Sequence, residues 1–213
     1  GSTMISLFLN TSSNFLNIGL AKEGKIIDEI YKQLDRDLSK ETLYLIKELL
    51  EKQNLKPKDL DEVICVKGPG SFTGLRVGVT IAKTMTYFLE KSLYSTSSLN
   101  VMATSVTKDL IIPIIDARRG YVYGAIYDKG YNVLMDERYI KLEDLIEKVK
   151  SYNKEYIFVS NDEFQIKTEK FKPNLQNFYN KGTKTKENPM SFVPKYLKKP
   201  EAEEKLNDKT NNN

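Results

Sequence analysis

Apolar residues come in short blocks along the first thirty positions. Ile5-Ser6-Leu7-Phe8-Leu9 runs into the polar turn Asn10-Thr11-Ser12-Ser13-Asn14, and residues 15–20 form a second apolar run. Lys22-Glu23-Gly24 turns again before the strand-like Lys25-Ile26-Ile27-Asp28-Glu29-Ile30. Three such runs joined by short polar turns predict an antiparallel meander. The period then lengthens. Leu43, Ile46, Leu49 and Leu50 form an apolar helical stripe behind Ser39-Lys40-Glu41-Thr42, which can cap a helix. Pro57 closes that unit, residues 63–66 predict a buried strand, and a Gly-rich turn leads into a long helix over about 73–90.

The same order begins again 106 residues after the first. Ile111-Ile112-Pro113-Ile114-Ile115 ends at Asp116, as 5–9 ends at Asn10, and Gly130 follows Asp116 at the fourteen-residue interval that separates Gly24 from Asn10. Strands are predicted over 120–127 and 132–140, a helix over 142–152, and a buried strand over 156–159. Two copies of strand-strand-strand-helix-strand predict duplicated α/β lobes. The predicted division is an N-terminal lobe over 4–108, a C-terminal lobe over 109–200 and a mobile tail over 201–213. Gly1-Ser2-Thr3 ahead of Met4 reads as a cloning remnant.

Composition narrows the chemistry. The 213 residues are 40% hydrophobic and 29% charged, with a net charge of +4, one cysteine and no histidine. Histidine-containing metal sites, Ser-His-Asp triads and Cys-His pairs are therefore closed to this chain alone. Cys65, inside an apolar run, reads as a buried strand residue in a reducing compartment. No apolar stretch approaches the roughly 20 residues that span a bilayer, and a cytoplasmic protein is expected. The charge is uneven: residues 165–199 hold nine lysines against Glu169 and Glu187. That stretch reads either as a solvated surface or as a contact for phosphate backbones.

Lys67-Gly68-Pro69-Gly70-Ser71-Phe72-Thr73-Gly74 carries the most information. Gly68 and Gly70 admit backbone geometries closed to other residues, and Ser71 or Thr73 can cap the following helix. The segment suits a phosphate held on free N–H groups and suits a plain tight turn equally well. It is not a Walker loop, since no Gly-Lys-Ser/Thr follows. The candidate phosphate or nucleotide contacts are Gly68, Gly70, Ser71, Thr73 and Arg118. Behind the turn, Gly74, Gly78 and Ala82 recur every fourth residue, a stripe that another backbone could approach closely. Arg76 and Lys83 are the only charges from 74 to 89. A helix so poor in polar residues is expected to be buried on two sides, by its own sheet and by a second element or subunit. The candidate partner interface is Gly74, Arg76, Val77, Gly78, Ile81, Ala82 and Met85; no catalytic and no metal residues are expected.

Gly68-Pro69-Gly70-Ser71-Phe72-Thr73-Gly74-Leu75-Arg76-Val77-Gly78, with Ala82-Lys83 behind it, resembles the signature of the TsaB family. Asp116-Ala117-Arg118-Arg119-Gly120-Tyr121-Val122-Tyr123 is similar to a second family segment, with Tyr121 replacing the usual Glu. Pro194-Lys195-Tyr196-Leu197-Lys198 is similar to a third, Pro-x-Tyr-Leu-Arg. The resemblance implies the duplicated actin-like ATPase fold, two lobes each with a mixed sheet flanked by helices. It implies a non-catalytic subunit for making threonylcarbamoyladenosine in tRNA. Such a subunit pairs through N-lobe helices with TsaD, which carries the metal site and transfers threonylcarbamoyl to N6 of adenosine 37, and TsaE, an ATPase, joins the pair. It also implies no tightly bound cofactor, with ATP or ADP only at the interface with TsaD and TsaE, and tRNA met through the complex; for the chain alone, homodimer and monomer both stay open.

Two departures bear on this. Asn10 stands where family members commonly keep the metal-holding Asp of actin-like ATPases, and it is a poor magnesium ligand. Leu38-Ser39-Lys40-Glu41 stands where relatives often carry His-Ser-Glu. An independent ATPase or small-molecule kinase of the same fold would have to use Asp116 as its metal-holding acid. A peptidase lacks any nucleophile constellation here.

Overall fold

The computed structural model of the chain describes residues 3–34 and 37–197. Strand β1 (Ile5–Asn10) pairs antiparallel with β2 (Phe15–Lys22), and β2 with β3 (Lys25–Gln33), as the alternating runs predict. Helix α1 (Leu38–Lys52) starts at Asp37, whose side chain accepts from the Lys40 N–H. Its buried stripe is centred on Thr42, Leu45, Ile46 and Leu49, which leaves Leu43 on the flank, 51% exposed rather than in the core. Strand β4 (Glu62–Gly68) lies parallel to β1 in the centre of the sheet. Cys65 is fully buried there, and burial pushes its thiol pKa up. Helix α2 (Phe72–Leu89) follows, then β5 (Ser92–Ser97), parallel to β4.

Helix α3 (Ser98–Ala103) is buried at all six residues. Beyond it the order repeats: β6 (Leu110–Asp116), β7 (Tyr121–Asp128), β8 (Val133–Lys141), α4 (Leu142–Lys150) and β9 (Tyr156–Val159). The second sheet runs β8-β7-β6-β9, and the first contains β5-β4-β1-β2-β3. Each thus has three antiparallel strands followed by a parallel one across a helix, the duplicated actin-like arrangement. α1 and α2 cover one face of the first sheet around Leu7, Ile18, Leu49 and Val79. α4 covers the second sheet around Ile112, Ile126 and Leu145. α3 packs Leu99 and Met102 against Ile111 and Tyr127 of the second sheet.

The boundary at 200 is corrected by the last described segment. Helix α5 (Leu175–Lys181) packs Leu175 and Phe178 on Phe8 and Ile64 of the first sheet. Strand β10 (Thr185–Glu187) pairs antiparallel with β5 and becomes that sheet's edge. Phe192 enters the first core, and Lys195 N–H donates to Lys67 C=O at 2.7 Å. The chain from about 174 to 195 therefore belongs to the first lobe. The expected tail over 201–213 lies outside the described residues.

Candidate functional site

The Gly-rich turn after β4 is shaped by contact with the chain itself. Gly70 sits at φ +154, and a Cβ there would stand 2.3 Å from the Ser12 carbonyl oxygen. The Ser71 N–H donates to that same carbonyl at 2.8 Å, and Ser71 Oγ caps α2 by accepting from Gly74 N–H at 3.3 Å. Two of the donors a phosphate would use are thus taken by the protein. Gly68 faces the C-terminal segment, since a Cβ would meet the Lys195 carbonyl oxygen at 2.3 Å. Thr73 is exposed on α2. Of the five candidate anion contacts, Gly70, Ser71 and Arg118 line the cleft between the lobes, and Gly68 and Thr73 do not.

The small-residue stripe of α2 also finds its partner within the chain, which corrects the reading of an open groove. A Cβ on Gly74 would lie 2.1 Å from the Thr11 carbonyl oxygen, and one on Gly78 would lie 2.3 Å from Thr11 Oγ1. Thr11 Oγ1 donates to Gly74 C=O at 2.5 Å, and Ala82 is fully buried in the core. The glycines let α2 press against the β1–β2 turn, so Gly74, Gly78 and Ala82 are withdrawn from any external partner. Ile81 is buried as well, while Val77 and Met85 pack against the core with part of their surface open.

α2 nonetheless leaves three aromatics outside, beside exposed Thr73, Arg76, Thr80 and Thr84. Phe72, Tyr87 and Phe88 are 54%, 51% and 75% exposed, and Arg76 lies 4.4 Å above the Phe72 ring. Tyr196 of the C-terminal segment stacks on Phe72 at 5.3 Å. Neighbouring α1 presents Leu43 and Tyr44. Sequence periodicity finds the inward stripe of α2 and misses these residues, because an aromatic off the stripe looks like any other helix position until the sheet fixes which face is inside.

The cleft between the lobes encloses about 400 Å³. Asn10, the position of the departed acid, is tied into its own turn: its Oδ1 accepts from Ser12 N–H at 3.0 Å and Ser12 Oγ at 2.6 Å. Asp116 Oδ1 accepts from Arg118 N–H at 3.0 Å, and Asp116 N–H donates to Asp162 Oδ2 at 2.9 Å. Among the described residues no group of three or more Cys, Asp or Glu side chains is placed to hold a metal ion. The lysine-rich stretch is in part structural. Lys184 binds both Glu62 carboxylate oxygens, Lys195 pairs with Glu137 at 2.8 Å, and Lys170 pairs with Glu163 at 3.0 Å. Lys167, Lys172 and Lys181 remain exposed.

A family model described as TsaD, tRNA N6-adenosine threonylcarbamoyltransferase, matches residues 26–187. The tRNA threonylcarbamoyladenosine biosynthesis protein TsaB of Bacillus subtilis is 34% identical over 164 residues, covering 75% of this chain and 72% of that protein. The chain belongs to the TsaB family. TsaB of Escherichia coli is 25% identical over 161 residues, covering 72% of this chain and 69% of that protein. A Pseudomonas aeruginosa crystal structure, described as similar to peptidase YeaZ, superposes with a TM-score of 0.75 at 18% identity, over 92% of this chain and all of that one. That likeness concerns the fold, and the lobes of this TsaB-family chain follow it. No helix among the described residues is long and apolar enough to cross a membrane.

Proposed function

We propose that this chain is a non-catalytic, scaffolding and activating subunit of the cytoplasmic machinery that installs threonylcarbamoyl on N6 of adenosine 37 in tRNA. It pairs with a TsaD-like catalytic subunit and, through that pair, with a TsaE-like ATPase and with tRNA. The observation that carries the reading is the set of large apolar side chains exposed on α1 and α2, Leu43, Tyr44, Phe72, Tyr87 and Phe88, on a TsaB-family chain. Exposed aromatic side chains are what a protein interface buries at its centre. The same face serves a homodimer when the partner is absent. The absence of histidine from the sequence suits a subunit that leaves metal chemistry to its partner. Nucleotide, on this reading, is held only where the subunits meet, because Asn10 Oδ1 and the Ser71 N–H are already engaged within the chain.

The test is a titration of the folded chain with a TsaD-like protein, followed by a threonylcarbamoylation assay with this subunit omitted. Saturable association and loss of modification on omission are expected. A folded chain that does not bind, or robust ATP hydrolysis by the chain alone that Asp116→Asn abolishes, overturns the proposal in favour of an independent ATPase or kinase.

A further inference from the structure

The inner face of the first sheet presents a row of polar side chains to the inter-lobe cleft. Asn10, Asn17 and Tyr31 are register partners across β1, β2 and β3, and all three line the cavity. Asn17 is 1% exposed, and its Nδ2 donates to Ile30 C=O at 3.0 Å. That bond fixes the amide, since the opposite orientation would set oxygen against oxygen. Its Oδ1 is left with no hydrogen-bond partner. A buried acceptor in this state is destabilising until something donates to it.

The rest of the cavity asks for the same chemistry. Phe15 and Tyr31 stack at 4.9 Å, and Asn161 of the second lobe donates to Tyr31 Oη at 3.5 Å, so the aromatic wall is held from both sides. Burial raises the Tyr31 pKa against the lowering effect of that bond, which keeps the ring neutral. Asp116 and Asp162 stand at the second-lobe side, with backbone N–H groups engaging one oxygen of each. Arg118 is the single cation among the described lining residues. The acceptors, carboxylates and ring faces of this lining attract positive charge and N–H donors.

We propose that this cleft binds a small organic cation carrying N–H donors, with an amine between Asn17 Oδ1 and the carboxylates of Asp116 and Asp162 and an alkyl chain along the Phe15–Tyr31 wall. The chain's own net charge of +4 does not collect such cations non-specifically, so saturable binding at ordinary salt reports the cleft. The probe is spermidine, titrated calorimetrically into the isolated full-length chain at about 0.15 M salt, where electrostatics over more than about 8 Å are screened. One-to-one binding is expected, with Kd raised about tenfold or more by Asp162→Asn and by Asn17→Leu, the effect of losing one charge-assisted hydrogen bond. Asn17 lies in the core; should its variant fail to fold, exposed Asp162 decides alone, because Asn keeps an oxygen for the Asp116 N–H. Absence of saturable binding, equal affinity in Asp162→Asn, or displacement of spermidine by ATP at lower concentration overturns the proposal. The titration contains no partner subunit, so its outcome is independent of the pairing proposed above.

Discussion

Gly78→Ala separates two roles for the small-residue stripe of α2 by the sign of its effect. At a helix position that faces open space, replacing Gly with Ala stabilises by about 1 kcal/mol, because the backbone entropy cost falls. A groove kept free for a partner would show that gain in the isolated chain. The structure predicts the reverse. The new Cβ would stand 2.3 Å from Thr11 Oγ1, and Thr11 is 1% exposed. The hydroxyl cannot swing aside without abandoning its 2.5 Å bond to Gly74 C=O. Overpacking of this kind costs about 1–3 kcal/mol, and a lost buried hydrogen bond about 1 kcal/mol more. Set against the propensity gain, the net is a destabilisation of about 1–3 kcal/mol. For a chain of this size that lowers Tm by roughly 2–12 °C. Urea and thermal unfolding of the isolated chain measure it. Thr11→Ala removes the clashing atom, so the double variant should lose less than the sum of the singles. A Gly78→Ala chain more stable than the parent would refute the packing argument and restore the open groove.

On the outer face, Phe88→Asp should leave unfolding within about 0.5 kcal/mol of the parent, since Phe88 is 75% exposed, and should weaken a TsaD-like partner at least tenfold in a titration. Glu187 supplies a pH dependence. Burial raises its pKa, but hydrogen bonds from Lys67 and Ser95 and the charge of Lys67 outweigh this and hold it below the ordinary 4.5. A carboxylate depressed in the folded state stabilises above its unfolded pKa and loses that contribution as pH falls through the folded value. Stability should therefore decline below about pH 4.5, and Glu187→Gln should flatten that decline in denaturant titrations across pH 3–6. Glu137→Gln should cost about 1–2 kcal/mol in urea unfolding, because Glu137 joins Lys195 of the returning segment to Ser97 at the end of β5. An unchanged midpoint would show that the contact does not hold the lobes.

Much of the fold was legible in the chain. The meander, α1, β4, α2 and their repetition in β6–β9 announce themselves because each is long enough for its hydrophobic period to recur. β5, Ser92-Leu93-Tyr94-Ser95-Thr96-Ser97, escaped because a strand rich in Ser and Thr shows little contrast, although it lies inside the sheet between β4 and β10. α3, α5 and β10 span six, seven and three residues, too few to establish a period. The site divides the same way. The Gly-rich motif, visible as sequence, locates α2 and the family. Phe72, Tyr87 and Phe88 matter only because the sheet claims the other side of their helix, and Asn17 and Tyr31 only because strand register sets them in one row.

By itself the sequence determined the duplicated α/β plan, the family and the exclusion of histidine chemistry, since local periodicity, an ungapped motif and a missing residue type need no third dimension. Tertiary structure alone decided which surfaces are free. Whether a glycine opens a groove or seats a neighbour depends on what stands within 3 Å of its absent Cβ. For Gly74 and Gly78 that neighbour is Thr11, more than sixty residues earlier in the chain.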